Sequence, residues 1–347
     1  GALEYYVIGE AEPSFPATDQ KGYHESAPFA KFNDFRMACM QAIAATGGQI
    51  KYGHSEVGNF VLDGKNYEQN EIEFLPVDAP DAADQLVLAK WVIRNLASQW
   101  GLDVTFAPKI TVGKAGSGLH IHMRLVDADG HGRMLDKDRH LSNEARRAIG
   151  GLVTLARALT AFGNTNPTSY FRLVPHQEAP TNICWGDRNR SVLIRVPLGW
   201  TADADMSAVL NPGSAPLSLD TSLKQTVEIR SADCSADIYL LMAALAVAVR
   251  IGLEIDESLD VAERTYVDVN IHQSDNKDIL DKLASLPVDC ASSADALEEV
   301  RSIFEAKNVF DPALIDGIIS NLRSFDPAET EEAKKEPVIM AEMVARY

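Results

Sequence analysis

Residues 113–127 read GKAGSGLHIHMRLVD, and this stretch decides how the rest of the chain is interpreted. From residue 119 to residue 125, apolar residues alternate with His120, His122 and Arg124, directly after a glycine-serine-glycine turn. This period of two predicts a half-buried strand with one core face and one polar face. For an isolated pair of histidines, a solvated strand face is the simpler interpretation.

Other predicted strands carry acidic residues, and these change that interpretation. Glu4 lies in LEYYV, Glu56 in HSEVG, Glu71 in QNEIEF and Glu228 in TVEIRS. Any one of these carboxylates fits an exposed sheet face. Mg²⁺ and Mn²⁺ prefer carboxylate oxygens, and Mn²⁺ also accepts imidazole. The four glutamates together with His120 therefore predict a divalent metal site on one sheet face.

Charge and composition limit the classes of partner that the protein is expected to bind. The chain has 347 residues, 46% of them hydrophobic, and a formal net charge of -18. This net charge argues against a nucleic-acid or anionic-membrane partner, because phosphate groups are bound mainly by clustered Lys and Arg. Arginines nevertheless cluster in WGDRNRSVLIRVP, which favours a small anionic ligand. Metal ions and arginines around a phosphate are typical of phosphoryl transfer.

The cysteines and the apolar segments indicate the cellular compartment that we expect for the protein. The four cysteines are scattered without CxxC spacing, which fits reduced thiols. The most apolar run, residues 238–249, is shorter than the ~20 residues that span a bilayer and predicts a buried helix. No signal peptide is recognisable, and the chain starts inside a predicted strand. We therefore expect a cytoplasmic protein without a membrane partner, and a chain that is part of something longer.

Helical and strand patterns predict an α+β fold with a mainly antiparallel sheet. The predicted helices are residues 28–45, 82–100 and 142–162, and nearly everything from Ala236 onward, including residues 329–346. The predicted strands are residues 2–9, 49–58, 71–76, 104–110, 119–126, 192–196 and 226–231. Residues 127–133, DADGHGR, predict a hairpin turn.

Three blocks resemble, in content and order, the signature blocks of the glutamine synthetase family. They are GSGLHIHMRL, SYFRLVPHQEAPTNICWGDRNRSVLIRVP and TVEIRSADCSADIYLLMAALA. The upstream KYGHSEVG and QNEIEF are similar to that family's metal-glutamate blocks. The resemblance implies that residues 1–347 form a single catalytic domain of that family. It implies a curved sheet with flanking helices in residues 1–235 and a mostly helical part in residues 236–347.

The resemblance also implies a reaction. The family uses ATP and two or more Mg²⁺ or Mn²⁺ ions to ligate ammonia to the γ-carboxylate of glutamate, through a γ-glutamyl phosphate. Its substrates are small molecules, and its members form large ring-shaped homo-oligomers. An N-terminal β-grasp domain supplies an acidic residue to the neighbouring subunit's site, and this chain is expected to begin after that domain.

The blocks imply metal ligands and anion-binding residues. Glu4, Glu56 and Glu71 match the ligands of the metal near the substrate carboxylate. His120 and Glu228 match ligands of a second metal, next to the nucleotide phosphates.

Further matches concern the nucleotide and glutamate. His122 and Arg195 match contacts to the nucleotide phosphates. Arg172, Arg190 and Arg230 match the arginines that bind the glutamate carboxylates and the transferring phosphoryl group.

Three further residues match the glutamate and ammonium pockets. Gly116 lies where the family's loop backbone approaches glutamate. Glu178 matches the flap glutamate that closes the site and helps deprotonate ammonium. Tyr23, in KGYHESAP, matches a tyrosine of the ammonium pocket.

Departures from the family pattern leave alternatives open. Ala115 replaces an asparagine expected to contact the substrate's α-amino end, which motivates a γ-glutamyl ligase for a larger amine such as a polyamine. Ala2 stands where a further metal-binding glutamate would fall; a native alanine there removes one ligand, whereas a non-native one has no consequence. Thr226 replaces a basic residue. Together, Ala2 and Thr226 motivate a degenerate, non-catalytic family member. A metal-dependent hydrolase has no use for so many arginines.

Overall fold

The strands form a mainly antiparallel sheet, and the predicted polar residues lie on one of its faces. The computed structural model describes residues 1–175, 179–199, 206–213, 223–271 and 274–347. The strands in these ranges are β1 (Ala2–Glu10), β2 (Ile50–Leu62), β3 (Lys65–Phe74), β4 (Asp103–Thr105), β5 (Leu119–Met123), β6 (Trp185–Asp187), β7 (Ile194–Val196) and β8 (Val227–Ile229). They form one sheet in the order β2-β3-β1-β5-β8-β7-β6, and β4 pairs with β1. Only β6 and β7 pair in parallel among the described strands.

The central strand β1 sets the register of the polar face. It is antiparallel to β3, with Glu4 opposite Glu71, and antiparallel to β5, with Ala2 opposite His120. Directly paired residues of an antiparallel sheet project to the same face. Glu4 of β1, Glu71 of β3 and His120 of β5 therefore share one face.

Helices pack around the sheet and fill the C-terminal part. They are α1 (Asn33–Ala45), α2 (Ala79–Trp100), α3 (Asn143–Thr154), α4 (Ala156–Gly163), α5 (Pro167–Arg172), α6 (Met206–Leu210), α7 (Ile238–Glu254), α8 (Ser258–Arg264), α9 (Lys277–Leu280), α10 (Cys290–Glu305), α11 (Pro312–Arg323), α12 (Pro327–Ala333) and α13 (Ala341–Arg346). Every described element after β8 is helical or a short 3₁₀ turn. The predicted α+β class is confirmed, with its mainly antiparallel sheet and helical C-terminal region; the assignment of residues 1–347 to a single domain stays a prediction.

The apolar run of residues 238–249 lies in α7, as predicted, and packs tightly on α3. Gly151 of α3 faces the backbone of Ala248, and a Cβ at this glycine would collide with the Ala248 carbonyl oxygen. The two helices therefore approach at backbone distance. No described helix is by itself long and apolar enough to span a membrane; α7 and α8 reach that length and composition only as a pair bent by 105°.

Several predicted boundaries were wrong, each for a local reason. The helix predicted from residue 28 begins at Asn33, because the buried carboxylate of Glu68 binds the amides of Lys31 and Phe32 outside the helix. The strand predicted to residue 110 ends at Thr105, because the next amide, that of Phe106, donates to the Tyr347 carbonyl at 2.9 Å and not to a neighbouring strand.

Two predicted helices are broken. The helix predicted over residues 142–162 divides at Leu155 into α3 and α4. The Thr154 hydroxyl donates to the Gly150 carbonyl at this point, a bond that bends helices. The C-terminal helix divides into α12 and α13, with Met340 in a left-handed conformation between them. By contrast, the predicted hairpin at residues 127–133 is confirmed by the bridge between Val126 and Gly132.

Candidate active site

A cavity of about 370 Å³ opens on the polar face of the sheet. All but one of the site residues predicted from sequence line it: Glu4, Tyr23, Glu56, Glu71, Gly116, His120, His122, Arg172, Arg190, Arg195, Glu228 and Arg230. Glu178 lies outside the described residues. The cavity therefore brings together predicted residues that are up to 226 positions apart in the sequence, from Glu4 to Arg230.

The carboxylates of Glu4 and Glu71 meet the imidazole of His120 at the centre of this face. One ligand atom from each of the three lies within 4.8 Å of the others, and all three side chains are buried. The Glu4 carboxylate accepts the backbone amide of Gly118 at 2.6 Å. This geometry is suited to a divalent cation, which takes oxygen and imidazole ligands from converging side chains.

A second group of potential ligands shares Glu71 with the first. It consists of Glu71, His54 and Glu56, whose ligand atoms also lie within 4.8 Å of one another. His54 Nε2 lies 2.9 Å from Glu71 Oε2. A β-bulge in β2, between residues 55 and 59, interrupts the regular strand pairing at Glu56. The Glu56 side chain lines the cavity at this point.

His120 lies between the two predicted metal sites. Its Nε2 is 3.7 Å from a Glu4 oxygen, and its Nδ1 is 3.4 Å from a Glu228 oxygen. The predicted grouping placed His120 with Glu228 alone. The strand register adds Glu4 as a neighbour, because β5 pairs with β1 on one side and with β8 on the other.

Burial shifts the protonation of this cluster. Burial and the nearby Glu56 raise the pKa of Glu4 to about 7, and burial raises the pKa of Glu71. Burial, together with nearby arginines, holds the pKa of His120 well below its usual range, and burial lowers the pKa of His122 to about 4. His120 and His122 are therefore neutral at pH 7, which is the form that binds metal ions. The pKa of His54 is instead raised, because burial, which lowers it, is outweighed by the hydrogen bond and charge of Glu71.

Arginines line the other side of the cavity. Arg195 Nε lies 2.5 Å from one oxygen of Glu228, and Arg230 Nε lies 3.5 Å from the other. Arg172 is buried and donates hydrogen bonds to the backbone carbonyls of Arg230, Ser231 and Ala232. The buried guanidinium groups are thus held in place by Glu228 and by backbone oxygens.

Arg190 and Tyr23 lie together at the exposed mouth of the cavity. The Arg190 guanidinium donates to the Tyr23 hydroxyl at 2.8 Å and lies 5.2 Å from the centre of its ring. Tyr23 is 40% exposed. This pair therefore places a cation and a phenol at the solvent-exposed edge of the cavity.

The glycine turn at residues 116–118 runs between the two sides. A Cβ at Gly116 would lie 2.5 Å from the Pro108 carbonyl oxygen, so this position requires glycine. The backbone of Ala115 is bound on both sides: its amide donates to Gln20 at 2.7 Å, and its carbonyl accepts the Tyr6 hydroxyl at 2.8 Å. The turn therefore brings backbone atoms to the cavity in a fixed position.

Sequence reasoning missed several residues that line the cavity: Tyr52, His54, Gln69, Glu73, Ser191 and Asn270. A signal existed for Gln69 and Glu73, which lie two residues either side of Glu71 in β3 and so share its face. His54 likewise precedes Glu56 by two residues. Asn270 follows α8 in an irregular segment, and no sequence pattern points to it.

Comparisons with known proteins indicate the family to which this chain is similar. The family model described as "Glutamine synthetase, catalytic domain" matches residues 4–337. The glutamine synthetase of Methanosarcina mazei is 33% identical over 310 residues, covering 88% of this chain and 62% of that protein. That of Thermus thermophilus is 34% identical over 256 residues, covering 72% and 51%. The matched part thus spans less than two thirds of these relatives.

Solved structures agree on the fold. A cryo-EM structure of Plasmodium falciparum glutamine synthetase superposes with a TM-score of 0.72 at 20% identity, covering 100% of this chain and 74% of that one. A crystal structure of a glutamine synthase homolog gives 0.70 at 22% identity, covering 99% and 70%. With the catalytic-domain match over nearly its whole length, the chain belongs to the glutamine synthetase family.

Proposed function

We propose that the protein ligates ammonia to the γ-carboxylate of glutamate at the expense of ATP and so makes glutamine. The observation that carries the proposal is one cavity in which two overlapping carboxylate-histidine groups face four arginines. In this reaction, the γ-carboxylate attacks the terminal phosphorus of ATP and ADP leaves. Ammonia then attacks the acyl carbon of the γ-glutamyl phosphate and inorganic phosphate leaves. Phosphorylation is needed because an unmodified carboxylate has no adequate leaving group.

The acidic side of the cavity suits divalent cations. Glu4, Glu56 and Glu71 would hold one ion, and His120 and Glu228 would ligate a second. When bound, Mg²⁺ or Mn²⁺ neutralises phosphate charge and so reduces its repulsion of the attacking carboxylate. The fit rests on the neutral state of His120 and on two sets of ligand atoms that converge within 4.8 Å, those of Glu4, Glu71 and His120 and those of His54, Glu56 and Glu71. Glu228 belongs to neither set, and its carboxylate lies 3.4 Å from His120 Nδ1.

The arginine side suits anions. Buried Arg172 and Arg230 would orient the carboxylates of glutamate, and Arg195 with His122 would bind the nucleotide phosphates. Arg190 at the mouth would stabilise the transferring phosphoryl group. A guanidinium presents a planar set of donors that matches carboxylate and phosphate oxygens. The role of Glu178 in deprotonating ammonium remains a proposal from the sequence.

Turnover tests the proposal. ADP release by the full-length protein is measured with Mg²⁺, ATP and glutamate, adding either ammonia or a diamine. We expect ammonia-dependent release that Arg190→Met lowers at least about 100-fold in kcat/KM, by analogy with the loss of other groups that stabilise transition-state charge. Arg323→Met, a control at an exposed arginine paired with Asp295 and Glu298, should leave it unchanged. Release only with the diamine would favour a ligase for larger amines; no release with either would favour a non-catalytic protein.

A further inference from the structure

One buried side chain contacts three of the elements that build the cavity. Gln69 of β3 is 2% exposed and lies on the same face as Glu71, two residues further on. Its Oε1 accepts the amide of Gly58 at 3.0 Å. Its Nε2 donates to the Gly116 carbonyl at 3.0 Å and to Glu4 Oε2 at 3.2 Å. A single carboxamide therefore joins the β2 bulge, the glycine turn and the first strand.

The contact with Gly58 holds the bulge that presents Glu56. The register between β2 and β3 shifts between residues 55 and 59, so the Gly58 amide has no regular ladder partner there. Gln69 supplies the missing acceptor. A Cβ at Gly58 would collide with the Tyr6 hydroxyl, so the bulge backbone is packed directly against β1. Gln69 therefore helps to stabilise the bulge on which the position of Glu56 depends.

The amide end of Gln69 holds the opposite wall. The Glu4 oxygen that accepts from Gln69 also accepts the Gly118 amide at 2.6 Å. Glu4 is therefore positioned by two donors, one from the turn and one from β3. The same Gln69 nitrogen binds Gly116, so the turn and the carboxylate are fixed relative to each other.

We infer that Gln69 is a positioning residue that keeps Glu4, Glu56 and the glycine turn in a cation-binding arrangement. This inference rests on the proposed metal-dependent function. The site calls for an acceptor on one atom and N–H donors on the other, which a carboxamide supplies. Glutamate would keep the acceptor for Gly58 but place oxygen against Glu4 and Gly116. Methionine would lose all three contacts at nearly the same volume.

Gln85 offers a matched control. It is 8% exposed, and its Oε1 accepts the Gln49 amide at 3.0 Å, but it does not line the cavity. Gln69→Met, Gln69→Glu and Gln85→Met are compared with wild type by calorimetric Mn²⁺ titration and by thermal unfolding without metal. Partners of metal ligands are typically worth 10- to 100-fold in metal affinity. We expect losses of about that size in both Gln69 variants and less than about twofold in Gln85→Met.

The stability measurement separates positioning from general damage. We expect Gln69→Met and Gln85→Met to lower the melting temperature by similar amounts, while only the Gln69 variants weaken Mn²⁺ binding; if Gln69→Met does not fold, Gln69→Glu decides the question. Wild-type affinity in the folded Gln69 variants would overturn this inference alone. A wild-type chain that binds no Mn²⁺ would overturn the proposed metal sites, and this inference with them.

Discussion

The two sides of the cavity hold their buried carboxylates in opposite ways. Glu228 on β8 is 1% exposed and lies within 3.5 Å of the Nε atoms of both Arg195 and Arg230. In the part of the chain that the structure describes, Glu4 and Glu71 have no Lys or Arg nitrogen within 4.0 Å; their near neighbours are histidines, amides and each other. Buried carboxylates are costly unless a cation compensates them. Glu228, the proposed ligand of a second ion, is therefore already paired with cations of the protein, whereas Glu4 and Glu71 are suited to cations from solution.

The largest expected effect comes from removing a charge on the metal side. Glu71→Gln keeps the shape of the side chain but removes the anion shared by both ligand groups. We expect Mn²⁺ affinity to fall by more than about 100-fold in calorimetric titration, beyond the range seen for partners of ligands. Glu73→Gln is the matched control in the same strand, because Lys51 and Tyr52 bind its carboxylate. Equal losses in both variants would contradict the distinction between the two sides.

A pH series tests the same side through Glu4. Its pKa is raised from 4.5 to about 7 by burial and by Glu56, so between these values the folded chain holds a proton that the unfolded chain has released. The stability due to this group is fully present below pH 4.5 and is lost as the pH rises through 7, by about 3 kcal/mol.

Glu4→Gln isolates this titration. We expect the difference in unfolding free energy between variant and wild type, measured in urea with a chelator, to move by about 3 kcal/mol in favour of the variant from pH 4.5 to 8. Taking the difference cancels His122, whose lowered pKa of about 4 acts in the opposite direction. A pH-independent difference would show that Glu4 titrates normally.

On the arginine side, we expect the loss of an ion pair mainly to lower the free energy of unfolding. Arg195→Met removes the nearest cation of Glu228, while Arg230 and His120 remain close. We expect a loss of about 2 kcal/mol in urea unfolding, below the 3–5 kcal/mol typical of a fully isolated buried charge. The double variant Arg195→Met, Glu228→Gln should recover part of that loss. No recovery would mean that Arg195 acts through packing rather than charge.

The smallest effect is expected at the turn between the two sides. The backbone of Ala115 is already fixed by Tyr6 and Gln20, so Ala115→Asn adds a side-chain amide without moving the turn. One hydrogen bond to glutamate is worth about 1 kcal/mol, which corresponds to roughly a fivefold lower KM. Steady-state kinetics with glutamate as the varied substrate measure it. An unchanged KM for glutamate would remove Ala115 from the substrate contacts.

The sequence predicts the metal side and the arginine side of the site to different extents. The alternation in β1, β3 and β5 predicted that Glu4, Glu71 and His120 share a face, because period two alone fixes the face of a strand. It did not reveal that His120 also neighbours Glu4, since that depends on which strands are adjacent. The pairing of Glu228 with Arg195 likewise comes from the register of two three-residue strands. The bulge that presents Glu56 and the position of Asn270 at the cavity depend on tertiary contacts that no local pattern encodes.

The central claim is that Glu4 and Glu71 bind divalent cations beside a nucleotide bound by the arginine side. Calorimetric titration of Mn²⁺ into the chain, without and with saturating ATP, tests it most directly. We expect saturable binding that becomes at least about fivefold tighter with ATP, which is the lower end of typical coupling between sites. Absence of saturable binding, or an affinity that ATP does not change once its own binding of Mn²⁺ is subtracted, would contradict it.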